Sequence, residues 1–501
     1  MRLENFQRLL NVAVWILIAC GAATVCAVAV ASLRWEFAHD TPLGHYAGLL
    51  IARFGRMPYR DFFETVMPGA FAFHALVVRL FGPGNVAFAA VNLAFLTLVA
   101  AAAWAFLARI DRVVATAFVV WYALNYLGGG PTAILQRDFL AVLPIAAAMA
   151  LMAARWPQGP ILRPLLCGVL FGLAATIKPQ LALGAPLVIL ADIALGGSIF
   201  GIGLALLGFA VPIAAALLWL ASNDALAPFI EIMTKYLPSY LQQTGEHVFL
   251  PSAERRSYLF WNTILFGWYW RSVLHAIPAI AIALWAVRRD RTKTILVGLT
   301  AAMMVVYGLL PTLAGQFWNY HYFPFVFFLI MVLSFLLLPL RQFAAMPKLA
   351  ILCAVLLGSA VDGTLQAHLQ FGRNEAEGGR VERIEKALSG MLKPGETVQP
   401  IDWADGVVHA MLRLGLPPAT PFFIDYQFYH DVDDPEIQAL RRRFIEAMEK
   451  NKPTYLVEAT RRPRVSGLRS AATFPAFDRL VAENYHVVHQ EEDFRILKRN
   501  D

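Results

Sequence analysis

Charged residues are scarce in this 501-residue chain, at 15% of the total, whereas soluble domains carry about 25%. Hydrophobic residues make up 58%, and the mean hydropathy is +0.56. The formal net charge of +7 comes without a basic low-complexity tail, because Lys and Arg fall mostly in short connections between apolar runs. This pattern favours the positive-inside rule over nucleic-acid binding and predicts a polytopic membrane protein.

Cysteine is equally scarce. The four cysteines lie inside apolar segments, and they show neither the spacing of metal ligands nor a pairing within the polar parts of the chain. We therefore interpret them as packing residues. They are Cys20, Cys26, Cys167 and Cys353.

The polar carboxy-terminal region lacks a glycine-rich nucleotide fingerprint and a metal motif. An acidic cluster, Asp431, Asp433 and Asp434, resembles part of a calcium loop, but Pro435 follows and the downstream ligand spacing is missing. A solvated helix start is the favoured interpretation of these aspartates.

Long apolar runs are abundant instead. The first, residues 9–33, can cross a bilayer, which takes about 20 apolar residues, and it exceeds the roughly 7–15 residues of a signal-peptide core. We interpret it as an uncleaved first helix. Further runs, which bring the expected number of spans to about eleven, cover residues 86–108, 113–127, 139–154, 164–178, 180–196, 199–221, 269–287, 294–314, 322–340 and 348–365.

The distribution of Lys and Arg predicts the topology. With a cytoplasmic amino terminus the basic connections fall inside, as the positive-inside rule requires. The polar segments 34–85 and 222–268 and the carboxy-terminal region then lie outside, in a bacterial periplasm. The sequence therefore predicts a transmembrane domain over residues 1–367 and a periplasmic domain over residues 368–501.

The periplasmic region alternates between two kinds of pattern, which predicts a small α/β domain. Strand patterns cover residues 397–401, 422–426 and 455–458, and helix patterns cover 381–391, 406–414 and 436–450.

The segment 34–85 carries the most informative motif. It has an acid soon after the first helix, then a G-x-x-P-Y-x-D-F turn, then an acid followed by Pro-Gly and an aromatic-rich run. This pattern resembles the first external loop of GT-C membrane glycosyltransferases, such as the lipid A aminoarabinose transferases and protein O-mannosyltransferases. The residues that carry it are Asp40, Gly55, Pro58, Tyr59, Asp61, Phe62, Glu64, Pro68 and Gly69.

The resemblance, which extends weakly over residues 1–365, implies a fold and an activity. The fold is a polytopic α-helical membrane protein of the GT-C type with a periplasmic α/β domain, in the bacterial inner membrane. The activity is transfer of a sugar, with inversion, from a polyprenyl-phosphate donor to a lipid, glycan or protein acceptor on the periplasmic face. The partners are that donor, a lipid or glycan acceptor and the membrane, with no nucleic acid.

Asp40 corresponds to the family's first-loop acid, so the resemblance assigns it as the general base that takes the acceptor's proton. The structural alternative is an aspartate that caps a helix beginning near Thr41 and Pro42.

Asp61 and Glu64 lie three residues apart, which on one helical turn would put both carboxylates on the same face, able to hold a divalent cation. The resemblance places a lysine where Thr65 stands, so phosphate binding in this loop would fall to Arg56 or Arg60, with Tyr59 beside them. A salt-bridge network among the charged residues is the alternative. Apart from this tentative metal, the sequence predicts no cofactor.

Two further polar positions resemble superfamily motifs. Arg137 and Asp138, in GGGPTAILQRD, correspond to the second acidic motif, where the Arg would contact phosphate and the Asp would support catalysis; anchoring of a helix end is the alternative. Lys178, in TIKPQ, corresponds to the lysine that meets the donor phosphate. Its alternative is snorkelling to the interface.

Tyr320 and His321 resemble the Y-Y-x-x-P approach to a late helix, with Pro324 following. The resemblance implies substrate binding, and the imidazole could contact metal or phosphate. A histidine that is merely packed in an aromatic belt is the alternative.

Two other classes of function fit a polytopic chain. A lipid or polysaccharide transporter would carry ionisable residues near mid-helix, whereas the charges here gather on the external side. A non-catalytic scaffold would not need three charged loops on one face.

Overall fold

The computed structural model describes residues 2–243, 245, 248, 250–342, 347–364, 370–429, 431–459, 465–466, 470–471 and 473–500. Helices dominate it, and the strands come late in the chain. The helices are α1 Arg2–Ser32, α2 Thr41–Phe54, α3 Pro68–Phe81, α4 Asn85–Leu107, α5 Arg112–Gly128, α6 Arg137–Leu140, α7 Val142–Ala154, α8 Leu162–Ile177, α9 Ala185–Ala194, α10 Gly201–Ala221, α11 Leu226–Glu231, α12 Leu237–Gln243, α13 Ser252–Leu265, α14 Trp270–Val287, α15 Arg291–Ala314, α16 Phe323–Ser334, α17 Leu337–Gln342, α18 Pro347–Thr364, α19 Arg380–Met391, α20 Val407–Leu414, α21 Pro435–Asn451 and α22 Pro475–Asn484. The strands are β1 Val398–Ile401, β2 Tyr455–Ala459, β3 Val465–Ser466, β4 Ser470–Ala471, β5 Tyr485–Gln490 and β6 Phe494–Arg499.

Seven helical stretches within the described residues are long and apolar enough to cross a membrane. The expected count of about eleven is not confirmed. The runs 113–127, 164–178 and 180–196 fall on shorter helices (α5, α8 and α9). The run 348–365 lies on α18 and ends at a residue outside the described part of the chain. The seven are Arg8–Ser32, Asn85–Leu107, Arg137–Ala154, Gly201–Ala221, Gly267–Val287, Arg291–Leu313 and Asn319–Pro339.

The chain divides into two compact units, each assembled from separate segments. The membrane unit comprises residues 1–34, 89–216 and 256–372. The second unit comprises residues 35–88, 217–255 and 373–501, and we name it the external unit after its predicted location. The polar segments between the predicted spans therefore belong to the same unit as the carboxy-terminal region.

Helix α16 lies at the centre of the membrane unit, where it is buried along its whole length and packs against α5, α14 and α15. Small residues bring other helices close together, as membrane helices require in the absence of a hydrophobic driving force between them. A Cβ atom on Gly168 of α8 would lie 2.0 Å from the Ala205 carbonyl oxygen of α10, so only glycine fits there.

The external unit contains a four-stranded sheet in the order β1-β2-β6-β5. Strands β1 and β2 are parallel, and the β2–β6 and β6–β5 pairs are antiparallel. The sequence predicted β1, β2 and helices α19, α20 and α21 at nearly their observed positions. Asp434 caps α21 by accepting a hydrogen bond from the Glu436 amide, which confirms the helix start expected for the acidic cluster.

The strand predicted at 422–426 is wrong. These described residues form an irregular segment that leads into a 3-10 turn at Tyr426–Phe428. Pro418 and Pro421 precede them and supply no N–H for a sheet ladder. The buried Phe422 carbonyl instead accepts a hydrogen bond from the side chain of Gln399 at 2.6 Å.

Helices α2 and α3 pack against each other in the external unit, and α2 also packs on α20. Backbone carbonyls after α20 then accept hydrogen bonds from the first external segment. Tyr46 Oη donates to Leu416 O and Arg56 Nη1 to Pro418 O, each at 2.8 Å. The segment before α4 and the carboxy-terminal region thus share one core.

Glu36 is the ionic centre of this core and is only 7% exposed. Its Oε1 accepts from Arg373 Nη2 at 2.8 Å and its Oε2 from Arg413 Nη2 at 2.6 Å. The Asn85 side chain also donates to Oε2, and the Glu36 amide donates to Asn374 Oδ1. One carboxylate therefore joins segments from both ends of the chain.

Three buried histidines lie beside this core, on α2 (His45), α3 (His74) and α20 (His409). His45 and His409 both pack at 5.4 Å from the Phe37 ring. Among the described residues, neither ring nitrogen of His45 or of His409 has a hydrogen-bond partner. These imidazoles therefore sit in the core as neutral, largely apolar rings.

We expect Glu36→Gln to destabilise the external unit by about 2–3 kcal/mol, because it leaves two arginines without their shared anion. Thermal unfolding of the detergent-solubilised protein measures this change. Glu231→Gln is the control, since the Glu231–Lys235 pair is more than half exposed and should shift stability by less than about 0.5 kcal/mol. Equal unfolding midpoints for the two variants would contradict the anchoring role of Glu36.

The buried histidines predict an acid-sensitive fold. Burial, with Arg413 nearby, lowers the pKa of His409 to about 3, and burial, with His74 and His409 nearby, lowers the pKa of His45 well below its ordinary 6.5. Below pH 6.5 the unfolded chain therefore binds protons that the folded chain does not. Stability is fully present above that pH and falls by about 1.4 kcal/mol per pH unit for each histidine as the pH drops.

Urea unfolding at pH 7.5, 5.5 and 4.5 measures this dependence. We expect His409→Leu to make stability less dependent on pH. The control is His486→Leu, at an exposed histidine, which should keep the pH dependence of the wild type. An unchanged slope for His409→Leu would show that this imidazole is not neutral in the fold.

Candidate functional site

Asp138 and Lys178 form a buried ion pair in the membrane unit. Lys178 Nζ donates to both carboxylate oxygens of Asp138, at 2.8 and 3.0 Å. The Asp138 side chain is 3% exposed and that of Lys178 is 18% exposed. Lys178 therefore has a fixed partner, unlike a lysine that only snorkels to the interface.

Local structure positions Asp138 at the start of its helix. The turn before α6 has Leu135 in a left-handed conformation (φ +46°), and the Leu135 amide donates to the Tyr126 hydroxyl at 3.1 Å. That hydroxyl lies 2.5 Å from Asn92 Oδ1. The Tyr126 ring stacks on Phe139 with centroids 3.9 Å apart. Phe139, the residue after Asp138, is thus held in place by packing, and this fixes the position of the Asp138 carboxylate.

Lys178 follows the last residue of α8 in an extended conformation. Its amide donates to Ala174 O at 3.0 Å, and Pro179 begins a 3-10 helix, Pro179–Gly184. Because proline cannot continue the α-helix, the chain turns at the lysine. The ammonium group is therefore placed at a break between two apolar helices.

His321 and Arg137 lie close enough to this pair to interact with it electrostatically. His321 is 7% exposed, and its Nδ1 lies 2.9 Å from Gln316 O. A neutral imidazole donates from Nδ1 in such a contact, which leaves Nε2 as the acceptor nitrogen. Tyr320 packs edge-on against His321 at 4.6 Å. The structure thus gathers sequence-predicted residues from three separate motifs.

Asp40, in the external unit, precedes α2 and is about one-third exposed. Its side chain makes no capping hydrogen bond to α2, all of whose residues are described. The carboxylate instead lies 3.1 Å from His39 Nδ1, and His39 has a positive φ of 56°. The helix-capping alternative is therefore not what the structure shows.

The other predicted residues of this segment hold the loop together. Asp61 accepts from the Met57 amide and from Arg60, each at 2.7 Å, and these contacts lower the pKa of Asp61 although burial opposes them. Tyr59, at φ +69°, is 3% exposed and donates to Val66 O at 2.5 Å. Arg60 also donates to Asn223 O.

The helical turn expected for Asp61 and Glu64 is wrong, because residues 56–67 form an irregular loop. Glu64 is 8% exposed, and its Oε2 accepts from the Thr65 amide at 2.9 Å. No group of three His, Cys, Asp or Glu side chains that could hold a metal occurs in the described part of the chain. Metal binding by this carboxylate pair stays an untested prediction.

Sequence reasoning missed Glu36 and the buried histidines. Glu36 lies in the same segment as Asp40, but no motif marks it, and its arginine partners Arg373 and Arg413 are far away in sequence. In the sequence, His45 and His74 lie three or four residues from apolar residues of their own helices, and this spacing could have indicated that they are buried.

No protein-family model and no curated protein matches this chain by sequence. A solved structure does match: the crystal structure of ArnT from Cupriavidus metallidurans bound to undecaprenyl phosphate. It covers 96% of this chain and 97% of its own length, with 14% identity and a TM-score of 0.52. The chain has the GT-C fold.

An oligosaccharyltransferase from Archaeoglobus fulgidus, solved in complex with Zn and sulfate, is a more distant match. It covers 87% of this chain and 68% of its own length, with 10% identity and a TM-score of 0.45.

We expect Lys178→Met to destabilise the membrane unit by about 3–5 kcal/mol, because Asp138 is left as an uncompensated buried charge. The double variant Asp138→Asn/Lys178→Met removes both charges and should recover most of that loss. Thermal unfolding of the wild type, both single variants and the double variant completes the cycle. Additive losses would show that the two side chains are not coupled.

Proposed function

We propose that this protein is an inverting membrane glycosyltransferase that uses a polyprenyl-phosphate-linked sugar. The observation that carries the proposal is the buried Asp138–Lys178 pair, with Arg137 and His321 beside it. Cations kept at the end of apolar helices suit a ligand that has a phosphate at the end of an apolar chain. The ArnT-like fold supports the same donor class, since ArnT was solved with undecaprenyl phosphate.

Lys178 and Arg137 are assigned to the donor phosphate. Asp138 accepts two Lys178 N–H groups, and an ammonium has three, so one remains for a phosphate oxygen. Charge-assisted hydrogen bonds of this kind strengthen as negative charge develops on the leaving phosphate. Among the first-loop arginines, Arg60 is engaged with Asp61 and Arg56 donates to Pro418 O, so both have a secondary role in this proposal.

Asp40 is assigned as the general base. The acceptor hydroxyl gives its proton to the carboxylate while its oxygen bonds to the anomeric carbon from the face opposite the phosphate. The bond between that carbon and the phosphate oxygen breaks, and its electron pair leaves with the polyprenyl phosphate. The configuration at the anomeric carbon is thereby inverted.

Orientation follows from the positive-inside rule. The external unit faces the periplasm of a bacterial inner membrane in this proposal, so the sugar is transferred to a lipid, glycan or protein acceptor there. Tyr320 and His321 complete the proposed donor site, and Tyr59 supports the loop that carries Asp40.

Replacing Asp40 by Asn should lower turnover at least a thousandfold while leaving the fold intact, because the variant cannot take the proton. The assay follows release of polyprenyl phosphate from a panel of polyprenyl-phosphate sugars, with membrane lipid extract as the source of acceptor. Asp224→Asn, a change at another aspartate of the external unit, is the control and should keep wild-type turnover. Release of polyprenyl phosphate by Asp40→Asn at the wild-type rate would contradict the assignment of Asp40 as the general base.

The donor site has its own matched pair of variants. Asp138→Asn/Lys178→Met should be folded but inactive, because it keeps the apolar packing and loses the phosphate contact. Arg163→Met/Asp192→Asn removes another buried ion pair of the membrane unit, whose side chains are 6% and 7% exposed, and should keep turnover. Equal turnover in the two double variants would contradict donor binding at Lys178, and donor translocation without release would favour a transporter.

A further inference from the structure

A row of aromatic rings runs through the external unit. It consists of Tyr236, Tyr240, Tyr426 and Trp403, whose successive ring centroids lie 6.0, 6.1 and 5.8 Å apart. Tyr236 is buried, Tyr240 and Tyr426 are half-buried, and Trp403 is 43% exposed. The row therefore emerges from the core to the surface of the unit.

Trp403 is displayed on a rigid turn at the carboxyl end of β1. Asp402, fully buried, accepts from the Asp405 amide at 2.8 Å and the Val408 amide at 3.1 Å. Its carbonyl accepts from the Asp425 amide at 2.9 Å. Ala404, which follows Trp403, has a positive φ of 56°, and this conformation costs free energy for a residue with a side chain. This tightly bonded turn holds the exposed indole of Trp403 on a fixed backbone.

The inner end of the row reaches the first external segment. The Tyr236 ring packs on Phe63 with centroids 5.0 Å apart. Burial, with Tyr240, Glu64 and Asp434 nearby, raises the pKa of the Tyr236 hydroxyl well above its ordinary value, so it stays a proton donor. Ser239 Oγ lies 2.6 Å from Asp434 Oδ2. Carboxylates and hydroxyls thus accompany the rings.

We propose that this aromatic row binds the glycan chain of an acceptor, with successive sugar rings along Tyr240, Tyr426 and Trp403. The C–H face of a pyranose carries partial positive charge and packs on the negative face of an aromatic ring. Its hydroxyls donate to carboxylates such as Asp434. This inference rests on the proposed function, because it names the acceptor class of the same reaction.

The charge beside the aromatic row limits which ligands can bind there. Asp434, which lies against Ser239 beside Tyr240, disfavours an anionic polymer and leaves an uncharged or amino-substituted glycan as the fitting ligand. The row begins beside the segment that carries Asp40 and ends at an exposed indole, which suits an extended chain better than a single sugar. A lipid headgroup interface, where Trp and Tyr also collect, is the competing occupant.

The test uses saturation-transfer NMR to measure oligosaccharide binding to the full-length protein in detergent, without donor. The probes are cellotetraose, maltotetraose, chitotetraose and, as an anionic comparison, tetragalacturonic acid, with glucose as the single sugar. At least one uncharged tetrasaccharide should bind several-fold more tightly than glucose and than the anionic probe. Trp403→Ala should weaken it about tenfold, which is the loss expected for one stacked ring. Trp268→Ala, at a 77% exposed indole of the membrane unit, is the control and should bind like the wild type.

Several results would overturn the proposal. These are equal binding by Trp403→Ala and wild type, no binding of any uncharged probe, and preference for tetragalacturonic acid. An independent measurement uses nanodiscs with brominated lipids, which quench nearby tryptophans. The fluorescence of Trp403 is obtained as the difference between wild type and Trp403→Phe. Strong quenching of this fluorescence would assign Trp403 to the lipid interface. Because binding is measured without donor, polyprenyl phosphate release tests the glycosyltransferase itself separately.

Discussion

A buried charge needs a partner, and this requirement governs the membrane unit. Helix α8 has an ion pair at each end: Arg163 with Asp192 near its start and Lys178 with Asp138 just after its last residue. Its 16 residues span about 24 Å. Either charge left alone would cost several kcal/mol, so the position of α8 along its axis is fixed from both ends. The ammonium of Lys178 therefore has little freedom to drift, and a phosphate would meet a preorganised site.

The external unit obeys a different constraint, which is that its core is shared between distant segments. Glu36, Tyr46 and Arg56 all bond to residues beyond position 372. The rings of His45 and His409 fill the space beside them without polar partners among the described residues. Packing and one ionic centre, rather than a covalent link, hold this composite together.

Local patterns predicted part of this structure well. Hydrophobic runs and motif residues predicted the membrane helices, and the GT-C fold and the carboxy-terminal sheet are confirmed. The sequence predicted Arg137 with Asp138, Lys178 and His321 as three separate motifs, and the structure brings these residues together. The number of crossings is not confirmed, because several predicted spans, such as those on α8 and α9, fall on helices of fewer than 18 residues.

Long-range contacts were beyond the sequence. Strands β5 and β6 were missed, since β5 is an edge strand with much exposed surface and no clean alternation. The loop at Asp61 and Glu64 resembled a helical turn in spacing, but the hydrogen bond from the Met57 amide to Asp61 favours a tight turn. Glu36 could not be recognised, because its arginine partners lie more than 330 residues away.

The composite core of the external unit also has a consequence during synthesis. Residues 35–88 leave the ribosome early, yet they share a core with residues 373–501, which are made last. At about 5–20 residues per second, helices α2 and α3 wait for tens of seconds with their apolar faces and Glu36 unpartnered by that region. The membrane helices between these two regions are therefore synthesised before the first polar segment can complete its core.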